Sequence, residues 1–314
     1  MSIWLVGAGP MASTYAKVLS SLTNRSVTII ANTPIRSKVL AEKYGMNYFA
    51  GGLQNALKSL PIPDAAIIAL PVDILAKAAY ELVVAGVSKV LIEKPGCLSS
   101  DELLPIITAV KKHENFVAIA YNRRYLSSVI EARKRIKSAE KILSVNFEFC
   151  EDAPRIEALS TPLLIKEKWL LANSSHVIDL AFHLCGQPSE IRSEISGSLG
   201  WHPKGADFRG TGITNKGANF SYLADWRGPG RWGLEIILPN ERLILRPIEK
   251  LSVMQRGSFE PKQIKIEDQL DKDYKPGLYL QTKAFLSDEI DATLVTLEEQ
   301  FNLIKNVYNP ISNY

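Results

Sequence analysis

Cysteine is scarce in this sequence of 314 residues, and the three that occur, Cys97, Cys150 and Cys185, lie far apart. An odd and scattered set supplies neither a disulfide framework nor the paired ligand spacing of a zinc site. We therefore expect no metal centre, and the pattern is consistent with a reducing, cytoplasmic location.

Long apolar runs and an excess of one charge are also missing. The first apolar run, residues 3–6, is too short for a secretion signal or a membrane span, and no later run approaches membrane length. The net charge of +4 is spread along the chain. The densest basic stretch, residues 133–137, lies in a helical pattern, which is typical of a solvated helix face. We therefore expect neither a membrane nor a nucleic-acid partner.

A glycine-rich turn follows the first apolar run. Residues 2–6 predict a buried strand and residues 11–22 a helix, with the pattern GxGxxA between them. The two glycines allow a tight bend and a close approach of the backbone to a pyrophosphate, and the alanine lets helix and strand pack closely. Phosphates then meet the helix N-terminus, which favours negative charge. The expected cofactor contacts here are Gly7, Gly9, Pro10, Met11 and Ala12.

The first 120 residues alternate regularly between apolar strand patterns and amphipathic helical patterns. This alternation predicts the α/β class, with a doubly wound parallel sheet. Between residues 142 and 267, shorter alternating runs separated by glycine and proline turns predict a mostly antiparallel sheet. We expect two domains: a dinucleotide-binding Rossmann domain over residues 1–120, and an α+β substrate domain over residues 121–314 whose last helix packs back on the first.

The end of the second predicted strand bears on the choice of cofactor. Folds that prefer NAD usually place a carboxylate there for the ribose hydroxyls, whereas this chain has Asn32 and Thr33, with Arg36 nearby. A neutral strand end beside an arginine can accommodate a 2′-phosphate, so we expect NADP in preference to NAD. Asn32 and Thr33 can equally cap the helix predicted over residues 34–44.

Two further strands of this predicted sheet end in residues that we expect to contact the cofactor. The strand over residues 87–92 is followed by Glu93, Lys94 and Pro95, and the strand over residues 64–70 ends at Leu70 and Pro71. Ligands of open α/β sheets bind at such carboxyl ends. The rigid strand positions Lys94, and Pro95 stops the strand from continuing.

Polar residues come directly after the next strand, which is predicted over residues 115–120. Asn122, Arg123 and Arg124 follow it. Because ligands bind at strand ends in open α/β sheets, these side chains are candidates for substrate binding. They can equally brace the junction between the two domains, and the sequence favours neither interpretation.

A second group of candidates lies on a helix predicted over residues 172–186. His176, Asp179 and His183 are spaced by three and four residues, so their side chains share one helix face. A carboxylate beside an imidazole orients it and raises its pKa, which suits a proton donor or acceptor. The spacing is not a standard zinc pattern, and the same pairs can simply stabilise the helix. Asn173 or Ser174 is expected to cap this helix.

Aromatic and basic side chains are frequent around the predicted second sheet. They suit contacts with a sugar face and with a phosphate or carboxylate, or else they fill the sheet core and an interface between subunits. They are Trp169, Trp201, His202, Tyr222, Trp226, Arg227, Arg231 and Trp232.

As a whole, the chain resembles the glucose–fructose oxidoreductase and inositol dehydrogenase (Gfo/Idh/MocA) family. The ordered motifs that carry this resemblance are GAGPMA at 7–12, EKP at 93–95, YNRRY at 121–125, HxxD at 176–179 and TLEE at 296–299. The resemblance implies that the second sheet is large and open and forms a homodimer or homotetramer.

The resemblance also implies roles for individual residues. Lys94 holds the reacting oxygen beside the nicotinamide and stabilises the oxyanion, His176 moves the proton, Asp179 orients this histidine or its helix, and Pro95 shapes the cofactor cleft. The chain departs from the family at Ala172, where many members have an aspartate, and at residues 72–75, where members often have Asn and His. His183 therefore remains a second candidate for proton transfer. Substrate contacts are expected from Lys94, Asn122, Arg123, Arg124, Asn173, His176, Asp179 and His183.

The function implied by the resemblance is hydride transfer between NADP or NAD and a hydroxyl or keto carbon of a sugar, cyclitol or nucleotide sugar. The resemblance also favours a role in surface-carbohydrate biosynthesis. Two alternatives stay open. One is a reductase of a non-sugar carbonyl, or of an imine in a peptide-like or siderophore-like intermediate. The other is a regulator that binds a dinucleotide on the same fold without turning it over.

Overall fold

The computed structural model describes residues 2–313. The strands are β1 (Ile3–Val6), β2 (Val27–Ala31), β3 (Asn47–Ala50), β4 (Ala65–Ile68), β5 (Lys89–Glu93), β6 (Phe116–Ala120), β7 (Ser144–Phe149), β8 (Pro188–Ser196), β9 (Asp207–Thr214), β10 (Asn219–Asp225), β11 (Trp232–Ile237), β12 (Glu241–Leu245), β13 (Ser252–Gln255), β14 (Lys262–Gln263) and β15 (Val295–Thr296).

The helices are α1 (Pro10–Leu22), α2 (Pro34–Tyr44), α3 (Gly52–Ser59), α4 (Leu75–Val84), α5 (Leu104–His113), α6 (Ser127–Ser138), α7 (Ala153–Glu157), α8 (Leu163–Lys166), α9 (Ser175–Cys185), α10 (Gln269–Asp273), α11 (Leu278–Leu286), α12 (Leu297–Leu303) and α13 (Asn309–Ser312). Short 3₁₀ turns occupy Val72–Ile74, Ser100–Leu103 and Asn122–Tyr125, and π-helical turns occupy Leu170–Ser174 and Ile304–Tyr308. No helix within residues 2–313 has both the length and the apolar character that a bilayer crossing requires.

The described chain forms two compact units. The first contains the residues up to Asn122 together with Leu270–Phe301. Its seven-stranded sheet has the order β15-β6-β5-β4-β1-β2-β3. Strands β1 to β6 are parallel, and β15 pairs with β6 in the antiparallel sense. The order 3-2-1-4-5-6 within this sheet is that of the Rossmann fold, so the predicted doubly wound parallel sheet is confirmed.

Burial explains why the strands of this sheet are so apolar. Every residue of β1 and of β4 is buried, as expected for parallel strands covered by helices on both faces. The segment that returns from the end of the chain also belongs here, since α11 packs on α1 and β15 extends the sheet. The predicted functional division into residues 1–120 and 121–314 stays a prediction, because compactness alone does not assign a function to a unit.

The second unit contains Arg123–Gln269 and the described residues from Asn302 onward. Its eight-stranded sheet has the order β14-β13-β12-β11-β7-β10-β9-β8, and among these neighbours only β7 and β10 are parallel. The mostly antiparallel, open sheet of the prediction is therefore confirmed. Aromatic rings fill the face that α9 covers: Phe182 of this helix packs edge-on against Phe147 and Phe220, with ring centroids 5.6 and 5.2 Å apart. This packing holds α9 against the sheet.

Strand β9 was not predicted, and its glycines explain the omission. Gly210 and Gly212 interrupt the pattern of β-branched and aromatic residues that identifies a strand. In the fold they make room for neighbours: a Cβ at Gly210 would lie 2.3 Å from the Tyr222 ring, and one at Gly212 would lie 2.0 Å from the carbonyl oxygen of Glu190. The strand predicted over residues 262–267 is shorter than expected, since β14 ends at Gln263.

Candidate functional site

The glycine turn of the first unit has the geometry of a phosphate cradle. Gly7 has a φ of +126°, and a Cβ there would lie 2.3 Å from the carbonyl oxygen of Ala69, so no larger residue fits. A Cβ at Gly9 would instead point into open space, with no atom within 4 Å. Gly9 is the N-cap of α1, which begins at Pro10. Because Ala12 is fully buried, the open side of the turn is left to Gly9 and the helix N-terminus, and a pyrophosphate fits there.

A cavity of about 340 Å³ lies at the carboxyl ends of β1, β2 and β4 in the same unit. Its lining includes Asn32 and Leu70, two of the predicted cofactor residues, but neither Thr33 nor Arg36. The lining residues are Val6, Ile30, Ala31, Asn32, Gly51, Gly52, Leu53, Gln54, Asn55, Leu70, Ile74, Lys77, Ala78 and Glu81. An apolar cavity with a few polar groups at this place suits the adenosine half of a dinucleotide.

Two details of this cavity were not predicted. Lys77 on α4 contributes a cation, and Gln54 donates a hydrogen bond to Glu81 at 2.9 Å. Thr33 is the N-cap residue of α2, but its side chain makes no capping hydrogen bond. The exposed side chain of Arg36 lies on the first turn of α2. Lys77 is therefore the cation that lines the cavity. It lies on α4, a helix that contains none of the predicted cofactor residues.

Glu93, at the end of β5, is the centre of a polar cluster. The buried hydroxyl of Tyr15 donates to its Oε1 at 2.7 Å. Protein atoms surround the carboxylate although Glu93 keeps some solvent access, and the loss of hydration raises its pKa. The Tyr15 hydrogen bond and the charges of Lys275 and Lys94 oppose this shift. Burial and the neighbouring Glu93 also raise the pKa of Tyr15 well above its usual value, so this hydroxyl stays a donor.

Lys275 was not expected in this cluster. It lies in the segment that returns to the first unit, and its Nζ is 2.7 Å from the Sδ of Met11, in the first turn of α1. Lys275 is therefore a second cation beside Glu93, in addition to Lys94. Since 264 residues separate Lys275 from Met11 in sequence, no local pattern could have indicated the contact.

The residues that follow Lys94 are fixed by side chains from the end of the chain. Lys94–Pro95 is a cis peptide bond. The carbonyl oxygen of Pro95 accepts a hydrogen bond from Nε2 of the buried Gln300 at 2.8 Å, and the Tyr121 hydroxyl accepts one from the same atom at 3.3 Å. Two other predicted cofactor residues, Leu70 and Pro71, follow β4. Pro71 is exposed, and Leu70 lies beside Gly7.

The polar residues after β6 have definite partners. Asn122 donates to the carbonyl oxygen of Pro276 at 2.7 Å within the first unit. In the second unit, Arg123 lies 3.4 Å from a carboxylate oxygen of Glu249. Arg124 is buried, and its Nε and Nη2 donate to the two oxygens of Asp179 at 2.8 and 2.6 Å. Arg124 thus anchors α9, the helix that carries His176.

His183 lies in an environment that keeps it neutral. Burial, followed by the charges of Arg124, Arg133 and Lys216, lowers its pKa to about 2. An imidazole in these surroundings stays neutral near neutral pH, and both His176 and His183 remain candidates for proton transfer. His176 is buried, and its ring packs on Trp232 with centroids 5.9 Å apart.

A buried carboxylate lies close to this histidine and was missed in the sequence. Glu151 comes just after β7 and accepts hydrogen bonds from Ser174 Oγ at 2.6 Å, from Asn173 Nδ2 at 3.0 Å and from Trp232 Nε1 at 3.3 Å. Burial raises its pKa, which these donors oppose. The prediction that Asn173 or Ser174 caps α9 is therefore wrong: Ser174 is the N-cap residue without a capping bond, and both side chains reach Glu151 instead.

The remaining aromatic candidates differ in how far their side chains are buried. Trp201, His202, Tyr222 and Trp226 are buried and pack on one another or on the rings of the sheet. Trp169 and Trp232 are only half-buried. Arg227 pairs with Asp225 at 2.8 Å.

The described residues contain no group of three or more histidine, cysteine or acidic side chains that could hold a metal ion.

Together, the parallel sheet, the open cradle at Gly9 and the cavity beside it define a Rossmann-type dinucleotide-binding protein with a second, open-sheet unit. Residues 1–121 match the model of the Gfo/Idh/MocA family, described as an oxidoreductase family with an NAD-binding Rossmann fold. The resemblance is therefore confirmed for residues 1–121, which match the NAD-binding Rossmann domain of this family. No functionally curated protein matches the chain in sequence.

Solved structures share the fold over the whole chain. UDP-N-acetylglucosamine 3-dehydrogenase GnnA from Acidithiobacillus ferrooxidans aligns over 100% of this chain and 97% of its own, at 15% identity and a TM-score of 0.77. Levoglucosan dehydrogenase in complex with NADH and L-sorbose aligns over 100% and 96%, at 16% identity and a TM-score of 0.78. An oxidoreductase from Agrobacterium radiobacter in complex with NAD+, L-tartaric acid and magnesium aligns over 100% and 96%, at 13% identity and a TM-score of 0.77.

Proposed function

We propose that this protein is an NAD(P)-dependent oxidoreductase that transfers a hydride between nicotinamide and a hydroxyl or keto carbon of a sugar, cyclitol or nucleotide sugar. The observation that carries the proposal is the pairing of an open phosphate cradle at Gly9 with a lysine, Lys94, at the end of β5 in the same sheet. Two of the proteins that share the fold are named as dehydrogenases of a nucleotide sugar and of an anhydrosugar, which supports the substrate class.

Each of the proposed site residues would have a separate role in the reaction. When bound, the nicotinamide supplies or accepts the hydride. Lys94 holds the reacting oxygen, and its positive charge stabilises the negative charge that develops there. His176 accepts the hydroxyl proton during oxidation and returns it during reduction. Asp179 positions the helix of His176 through its two hydrogen bonds with Arg124.

The proposed cofactor is NADP in preference to NAD. The support is the neutral Asn32 at the end of β2, in place of a carboxylate that would repel a 2′-phosphate, and the presence of Lys77 in the cavity lining. Arg36 remains a second candidate for the phosphate contact. Titration of the protein with NADPH and with NADH, followed by nicotinamide fluorescence, measures the preference. Tighter binding of NADH, or equal binding of the two, would contradict it.

The catalytic proposal is tested by Lys94→Met, with Lys89→Met as the matched control. Lys94 directly follows β5, whereas Lys89 is the first residue of this strand and donates to the carbonyl oxygen of Ser287. The assay follows NAD(P)H formation with a panel of sugars, cyclitols and nucleotide sugars. We expect turnover to fall by a factor of about 10² or more for Lys94→Met alone. Near-normal turnover in that variant would remove Lys94 from the mechanism.

We also propose that the open sheet of the second unit joins two or four copies of the chain. Its outer face carries partly exposed apolar residues, among them Ile213 and Leu223, which are 38% and 49% exposed. Neighbouring strands place them on the same side as Ser221 and Thr211. Sedimentation analysis of the wild type and of a variant with charged residues at both positions measures the state. A wild-type monomer at micromolar concentration would contradict this proposal.

A further inference from the structure

Glu151 differs from the other two buried acids of the second unit, Asp179 and Asp207, in the kind of partner it has. Asp179 is neutralised by the guanidinium of Arg124, and Asp207 is paired with Arg209 and Arg227. Within residues 2–313, no lysine or arginine forms an ion pair with Glu151, and its hydrogen-bond donors are a hydroxyl, an amide and an indole. A buried carboxylate that only neutral groups solvate is costly to keep, and such groups concentrate at functional sites.

The two oxygens of this carboxylate are not used equally. Oε1 accepts three hydrogen bonds, from Ser174, Asn173 and Trp232. Oε2 accepts one, from Asn173 Nδ2 at 3.1 Å. The indole of Trp169 also favours the ionised form, although its Nε1 makes no hydrogen bond of its own. Since a carboxylate oxygen has two acceptor positions, Oε1 is saturated and fixes the side chain, whereas Oε2 retains capacity for another donor.

The surroundings of Glu151 are partly open to solvent. Glu151 is 9% exposed, and the three side chains around it, Trp169, Asn173 and Trp232, are half-buried and thus partly open to solvent. Flat indole rings beside a few polar groups are typical of sites for small organic ligands. The same Trp232 packs on His176, so the carboxylate is linked to the proposed proton-transfer residue through one shared neighbour.

We propose that Glu151 is a substrate-binding residue, whose Oε2 accepts a hydrogen bond from a hydroxyl or amide N–H on an uncharged part of the substrate. This inference rests on the proposed function for the class of substrate. Because the carboxylate would repel a phosphate or a carboxylate, the ligand presents a neutral, donor-bearing face to Trp169 and Trp232. Any acidic group of the substrate binds elsewhere.

The test measures binding of defined probes by saturation-transfer NMR, without cofactor and with the full chain. The probes, at millimolar concentration, are D-glucose, N-acetyl-D-glucosamine, myo-inositol, levoglucosan, L-sorbose and UDP-N-acetylglucosamine. The variant is Glu151→Gln, which keeps the shape and removes the charge. The matched control is Glu148→Gln on strand β7, three residues before Glu151, whose carboxylate instead pairs with Arg246 at 2.6 Å.

We expect at least one probe to bind the wild type and the Glu148→Gln protein alike, and to bind Glu151→Gln about tenfold more weakly, because a charge-assisted hydrogen bond is lost. Thermal unfolding shows whether each variant is folded. Should Glu151→Gln be unfolded, Glu151→Asp serves in its place: it keeps the charge but withdraws Oε2 by one methylene, and it should also weaken binding.

Two results would overturn the inference: no probe binds the wild type, or a folded Glu151 variant binds every probe as the wild type does. The second result would leave the cluster a purely structural one. A parallel titration with NADPH and NADH separates this failure from a failure of the proposed function. Nucleotide binding without Glu151-dependent sugar binding rejects only the role of Glu151, whereas Glu151-dependent sugar binding without nucleotide binding rejects the oxidoreductase.

Discussion

Breaking the pair of Arg124 and Asp179 should destabilise the second unit strongly. Both side chains are buried, with 2% and 0% of their side-chain surface exposed, and two hydrogen bonds of 2.8 and 2.6 Å join them. Removal of one partner leaves an uncompensated buried charge, which typically costs about 3–5 kcal/mol. We therefore expect Arg124→Met and Asp179→Asn each to lower the free energy of unfolding by about that amount.

The double variant distinguishes a coupled pair from two independent effects. With both charges gone, no buried ion remains, so Arg124→Met with Asp179→Asn should lose about as much stability as one single variant. The coupling energy would then be about 3 kcal/mol or more. Additive losses, or a single variant within about 1 kcal/mol of the wild type, would refute the assignment of a buried, coupled pair.

Urea unfolding followed by tryptophan fluorescence suits this measurement, because four of the five tryptophans lie in Arg123–Gln269. The signal therefore reports mainly on the unit that contains the pair. The control is Arg242→Met, since Arg242 is 38% exposed and its partner Glu235 is 31% exposed. That pair is partly screened by water, and its loss should change stability by less than about 1 kcal/mol.

Three further predictions concern groups in both units. The pKa of His183 is about 2 in the folded protein and about 6.5 in the unfolded chain, so the folded protein binds fewer protons and its stability falls as the pH drops below 6.5. Between pH 7 and pH 5, the loss in free energy of unfolding measured with urea should be about 2 kcal/mol smaller in His183→Gln than in the wild type. Gly9→Ala should fold normally but bind NADPH and NADH at least about tenfold more weakly by fluorescence, whereas Gly7→Ala should lower the melting temperature, because its Cβ meets a carbonyl oxygen. Lys275→Met should weaken nucleotide binding about tenfold in the same titration, since it removes a cation from the first turn of α1; unchanged affinity would exclude a phosphate contact.

The sequence predicted the first sheet well because the signal of each strand is local. Strands such as β1 and β4 are buried on every residue and therefore appear as apolar runs, with glycine or proline at their ends. The same holds for the turn at Gly7 and Gly9, where the constraint acts between neighbours in sequence. In the second sheet, β9 was missed because Gly210 interrupts its sequence pattern. That glycine makes room for the ring of Tyr222 on a neighbouring strand, a contact that the local sequence does not show.

The site residues divide in the same way. Lys94 and His176 are proposed from short motifs, whereas no motif indicated the partner of Asp179, because Arg124 lies 55 residues away. Lys275 approaches the glycine turn from the far end of the chain, and Glu151 reaches Ser174 across 23 residues. Helix periodicity placed Asp179 on the face of His176, but periodicity cannot show which long-range partner a carboxylate finds.

Two of the buried carboxylates of the second unit, Asp179 and Glu151, indicate which acidic group can still bind a ligand. Asp179 has both oxygens engaged by one guanidinium, so its charge is compensated inside the protein and its contribution is to hold α9 in place. Glu151 has no such counter-charge, and one of its oxygens keeps acceptor capacity beside half-buried tryptophans. A ligand that offers a donor would relieve this imbalance, whereas no ligand could improve the pairing of Asp179. The acidic group available to a substrate is therefore better sought after strand β7 than on helix α9.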